Sequence, residues 1–258
     1  MVAFSKRNII VVFSNFLSGA FLICFLGLLF VLSKDLPQTF LELLIAPNIL
    51  IPTISIIYSV LSVYFIRKFF LKHTRAEIFF FLLFLLTINF DGIRSVVFIF
   101  EQLDKPVAYS MLLTRVAYFG KILGIFSLLS FALMSNDSEY KPFTALSSIA
   151  VILSMFLANL MPFSPVKGTN ALFLPGQAAF GSSMIFLMII TFILLVSIFI
   201  QNRNFEYLNM AVSVIFMFVG SSVLFYSSTF LPALFGLILL TAGTVFISYR
   251  IHRLYLWD

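Results

Sequence analysis

The chain reads as a series of long apolar runs broken by short polar connections. Runs lie at about 9–32, 49–66, 76–99, 107–134, 143–162, 178–200, 208–227 and 230–249. A bilayer core about 30 Å thick takes roughly 20 apolar residues of helix to cross, so each run predicts one membrane span, eight in all. The runs do not alternate apolar and polar positions over about ten residues, as the strands of an outer-membrane barrel do. The expected fold is all-α: one polytopic integral membrane helical bundle occupying residues 1–258. Only the segment from Tyr226 to Pro232 separates the seventh run from the eighth, and Ser227, Ser228 and Thr229 ahead of Pro232 are helix-start signals.

Composition agrees. The 258 residues are 62% hydrophobic and 10% charged, with a mean hydropathy of +1.12, where a soluble domain carries about 25% charged residues. Too few polar side chains exist to cover a globule, which excludes a soluble enzyme, a nucleic-acid-binding domain and a disordered chain. The net charge of +6 then reads as basic cytoplasmic loops rather than a nucleic-acid surface. With the N-terminus inside, Lys6, Arg7, Arg67, Lys68, Lys72, Arg75, Lys141, Arg203, Arg250 and Arg253 collect on one face, and Lys34, Lys105 and Lys167 on the other. That split predicts both termini in the cytoplasm, in a multi-pass protein of a cell membrane, with a bacterial cytoplasmic membrane the expected setting. The run after Lys6 and Arg7 exceeds a signal-peptide core and is read as a retained first helix. The lone Cys24 allows no intrachain disulfide.

Two connections are long. The segment 33–48 is expected outside, as a short surface helix or a plain connector. Residues 163–177, with Pro165, Gly168, Pro175 and Gly176, read as a turn-rich loop that either folds over the bundle or simply connects.

Ionisable groups within spans are costly and so informative. On the third span Thr87, Asp91, Arg94 and Glu101 share one helical face. On the fourth, Arg115, Tyr118 and Lys121 follow one another at intervals of three. Helix rise places Asp91 about 15 Å below Glu101, Arg115 about 13 Å and Lys121 about 22 Å below the outer end of their helix. The turn at Asp104, Lys105 and Pro106 makes these spans antiparallel neighbours, so an Asp91–Arg115 pair is expected. Three cations then face one deep carboxylate, and something must compensate: an anionic ligand, a lipid headgroup, water or a deprotonated lysine. Two readings follow. One is an outward-facing polar pocket for a small anionic or polar ligand, lined by Asp91, Arg94, Arg115, Tyr118 and Lys121, with Asn159 near the same depth. The other is a polar lock that pairs helices, with Arg94 as glue to Glu101 or the outer interface. Asn15, Asn89 and Gln177 read as interhelical hydrogen-bonding groups, Gly120 and Gly124 as a close-packing face, and His73 and His252 as surface residues.

No metal-ligand spacing, phosphate loop or deep carboxylate dyad is present. No cofactor, no metal and no enzyme activity are expected, and no nucleic-acid partner. The absence of a visible repeat or of matched interrupted helices gives secondary transport no support.

Three segments carry a resemblance: Tyr64 to Lys68 with the basic loop through Arg75; Leu113 to Gly120 followed by Phe131, Ala132 and Leu133; and Leu157, Ala158 and Asn159 with the loop to Gly176. Over about residues 50–200 this pattern resembles the seven-helix membrane sensor module of bacterial histidine kinases. An extra helix precedes it, Asn89, Phe90 and Asp91 stand where a Trp is usual, and no kinase part follows. The resemblance implies a stand-alone sensory module that signals through a protein partner. The leading expectation is a non-enzymatic receptor-like or regulatory protein surrounded by lipid. The alternatives are a small transporter, channel or lipid-handling protein for an anionic solute, and a structural subunit of a membrane complex.

Overall fold

In hydrocarbon every backbone N–H and C=O must be satisfied inside the protein, and the α-helix does this within each segment. The computed structural model describes residues 16, 19, 20, 23, 25, 27 and 30, then 45–70, 76–135, 143–176, 179–203 and 205–255. The helices are α1 (Pro47–Phe70), α2 (Ala76–Thr87), α3 (Gly92–Gln102), α4 (Val107–Met134), α5 (Phe143–Leu160), α6 (Ala179–Asn202), α7 (Phe205–Tyr226) and α8 (Phe230–Tyr255). Among the described residues six stretches are long and apolar enough to cross a bilayer: Pro47–Ile66, Glu77–Gln102, Val107–Met134, Gly181–Gln201, Phe205–Tyr226 and Phe230–Ile251. Thr144–Leu160 is apolar but shorter. The all-α membrane bundle stands. The first expected span and the connection 33–48 lie largely outside the described residues, and Cys24, Asn15, Gln177, His73 and the basic residues Lys6, Arg7, Lys34, Lys72, Arg75 and Lys141 used for orientation lie wholly outside them.

The third expected span is not one continuous α-helix. Ile88–Asp91 forms a 3₁₀ turn between α2 and α3. The sequence there, Asn89-Phe90-Asp91-Gly92, is poor in helix formers, and short 3₁₀ stretches in mid-helix mark strain or hinges. The loosened turn is supported from α1, whose Ser59 hydroxyl donates to the Leu85 carbonyl at 2.6 Å. The Thr87 hydroxyl donates to the Phe84 carbonyl at 2.6 Å.

Glycine sets the closest approaches. A Cβ on Gly120 would collide with the Phe90 side chain, and one on Gly124 would lie 2.7 Å from Thr87 Oγ1, so the expected packing face of α4 is where the 3₁₀ turn nests. At the α7–α8 crossing backbone meets backbone. A Cβ on Gly220 would lie 2.6 Å from the Leu240 nitrogen, and one on Gly243 would lie 2.8 Å from the Ser213 carbonyl. At the far end of that pair Glu206 of α7 binds both Arg250 and Arg253 of α8.

One element is not helical. Phe163–Lys167 (β1) and Phe173–Pro175 (β2) pair antiparallel, with Phe163 opposite Pro175 and Lys167 opposite Phe173. The turn is closed by the Gly168 N–H on the Leu172 carbonyl at 2.7 Å. Asn170, Ala171, Leu172 and Phe173 are buried, so the turn-rich segment does fold onto the bundle.

Candidate functional site

Asp91 ends the 3₁₀ turn and is buried. Its electrostatic neighbours are Arg94 and Lys121, and Ser55 of α1 is its hydroxyl partner. Among the described residues it forms no direct ion pair, with Arg115 or any other cation. The expected Asp91–Arg115 pair is therefore corrected. The matching depth expected from helix rise does not hold: Phe90 packs against Gly120, which sets Asp91 level with that part of α4 and leaves Arg115 more than a turn away along the helix. Arg115 is half-buried, and its Nε has no hydrogen-bond partner.

Arg94 is fully buried. Its guanidinium donates from Nη1 to the Leu224 carbonyl at 2.8 Å and from Nη2 to the Ser227 carbonyl at 2.7 Å. These acceptors belong to the C-terminal end of α7, where carbonyls lack intrahelical partners and the helix dipole favours a cation. Arg94 is glue, as one reading held, but toward α7 instead of Glu101, which is exposed at the end of α3. The same helix end is gripped from outside: Asn170 in the hairpin donates to the Phe225 carbonyl at 3.1 Å.

Tyr118 is buried beneath the hairpin. Its ring centroid lies 5.4 Å from that of Phe225, edge-on, and 5.7 Å from that of Phe163, and its hydroxyl is bonded to Tyr226. Lys121 is half-buried and donates to Ser221 of α7 at 3.1 Å, with its ammonium 5.7 Å from the ring centres of both Phe218 and Phe225. Between Asp91 and Lys121 lies a cavity of about 20 Å³, bordered by Thr87, Gly120, Gly124 and Ser221. Asn159 is elsewhere: it is exposed and donates to the Met155 carbonyl of its own helix at 2.9 Å.

The structure thus gathers Asp91, Arg94, Tyr118 and Lys121 where the 3₁₀ turn, α4 and α7 meet, and leaves Arg115 and Asn159 at its margin. Sequence reasoning missed Asn170, Ser221 and the end of α7. Asn170 sits among Gly168 and Thr169 and reads as an ordinary turn residue. The three glycines of the α7–α8 crossing were legible in principle, since Gly236 and Gly243 are seven apart and share a helical face. Groups of three or more metal-ligating side chains are absent among the described residues.

No protein-family model matches the sequence, and no curated protein matches it significantly.

Proposed function

We propose that this chain is a non-enzymatic, receptor-like or regulatory protein of the cell membrane, with eight spans and both termini in the cytoplasm. In this reading it is a stand-alone sensory module that acts through a protein partner, and the cluster of Asp91, Arg94, Tyr118 and Lys121 is its switch. One observation carries the reading. The end of α7 is held both by Asn170, from the outer hairpin, and by Arg94, three residues beyond Asp91. A disturbance of the hairpin therefore reaches the charged turn through a single shared helix end. From there the glycine-packed α7–α8 pair leads to Glu206, Arg250 and Arg253 at the opposite end. The cavity beside Lys121 is too small in this conformation for an organic anion, so an outside ligand acts on the hairpin and not in the cavity.

Amide hydrogen exchange in lipid nanodiscs tests this, comparing the parent with Asn170→Leu. The expected result is faster exchange in residues 88–95 and around 205–210 as well as in the hairpin. Faster exchange confined to 163–175 would leave the cluster a static lock. Lys121-dependent flux of labelled chloride or phosphate into vesicles would replace the reading with anion transport.

A further inference from the structure

Buried Asp91 and half-buried Lys121 border one cavity without an ion pair between them. Asp91 has Ser55 as its hydroxyl neighbour and no direct ion pair among the described residues. Lys121 spends one N–H on Ser221, and an ammonium has three to give. Polar groups separated by more than hydrogen-bond distance, in a space that water fits, are bridged by water as a rule.

The space fits. A cavity holds a water when it offers at least about 10–15 Å³ and two to four polar partners. The cavity here offers about 20 Å³, and its polar border is Asp91, Thr87, Lys121 and Ser221. Gly120 and Gly124 form part of its wall, and their lack of a Cβ lets Phe90 and Thr87 close onto α4.

Donors and acceptors also balance. Thr87 Oγ1 has committed its hydrogen to the Phe84 carbonyl and Ser221 Oγ its own to the Phe218 carbonyl at 3.0 Å, so both face the cavity as acceptors. Ser221 is further occupied by Lys121. The remaining groups are one donor, the Lys121 ammonium, and two acceptors, the Asp91 carboxylate and Thr87 Oγ1. A molecule that accepts from one of the two N–H groups Lys121 has left and donates to both acceptors joins all three, and water is that molecule. A metal cation would sit against the Lys121 ammonium and a halide against the Asp91 carboxylate, so the site selects a small neutral species.

We propose that the cavity between the 3₁₀ turn, α4 and α7 is a binding site for a single water that joins Asp91, Thr87 and Lys121. The site stands on cavity size and hydrogen-bond balance, independently of the signalling role. Its consequence is that the link between the charged turn and α4 runs through an exchangeable molecule, which can leave when the helices shift.

Crystals of the unaltered chain grown from a lipid mesophase, at a resolution that shows ordered water, test it directly. A density peak within about 3 Å of the Asp91 carboxylate, Lys121 Nζ and Thr87 Oγ1 is expected. A dry Asp91–Lys121 contact, or a peak that gains anomalous signal from bromide or rubidium in the crystal, overturns the proposal. A second measurement needs no crystal. In water-edited solid-state NMR of ¹⁵N-lysine-labelled protein in vesicles, the Lys121 signal, identified by its loss in Lys121→Met, receives polarisation from water. Thr87→Val, which keeps the side-chain shape, weakens that transfer. A Lys121 signal that receives none in the parent also overturns the proposal.

Discussion

At the scale of single residues, Arg94 and Lys121 show how the same kind of charge serves two ends. Arg94 is fixed, because a planar guanidinium can reach two carbonyls at once and the Leu224 and Ser227 carbonyls stand 2.8 and 2.7 Å from it. Arg94→Met takes the guanidinium from both carbonyls, leaving Leu224 only the Ser227 hydroxyl at 2.9 Å, and should lower stability by about 3 kcal/mol, read as reduced thermal stability in detergent. Arg94→Lys should recover only part of this, since one ammonium lacks the fork. A thermal midpoint of Arg94→Met equal to the parent's would show that these bonds hold nothing. The sequence grouped Asp91, Arg94, Arg115, Tyr118, Lys121 and Asn159, because charge in a span is rare enough to read without a structure, and the first two meet Tyr118 and Lys121 in the fold. It did not tell their partners. Arg94 was assigned toward Glu101 by helical phase, and the two do share a face of α3, but they stand two turns, about 10 Å, apart, while the end of α7 offers acceptors within hydrogen-bond distance. Asn159 was placed in the cluster by depth alone, and depth says nothing about which face a side chain takes.

At the scale of elements, apolar runs predicted helices well because the bilayer admits few other solutions. The span over 107–134 coincides with α4 (Val107–Met134), while the run over 76–99 hid a break because Asn89, Asp91 and Gly92 are too few to interrupt a hydropathy pattern. The α7–α8 pair depends on glycine. Gly220→Ala should cost about 1–3 kcal/mol, since its Cβ would press on the Leu240 backbone, 2.6 Å away, which cannot yield as a flexible side chain does. Gly181→Ala, with nothing within 4 Å of the new atom, should be neutral or slightly stabilising through helix propensity. Equal thermal shifts for the two variants would mean that the crossing is loose. The hairpin illustrates a different limit: its turn chemistry was visible in the sequence, but a buried Asn170 bonded to a helix end requires the fold to be known first.

At the scale of the whole molecule, the hairpin, the end of α7 and the charged turn are proposed to move as one mechanical unit. Asn170 and Asp91 do not hydrogen-bond each other; they are linked through the Phe225, Leu224 and Ser227 carbonyls and Arg94. Independent sites add within about 0.3–0.5 kcal/mol, whereas coupled ones depart from additivity. The decisive measurement is a double-mutant cycle of Asn170→Leu and Asp91→Asn, read as unfolding free energy in the same detergent. A departure from additivity of more than about 0.5 kcal/mol is the expected result. Strict additivity would contradict the account, because the hairpin would then be a cover that tells the charged turn nothing.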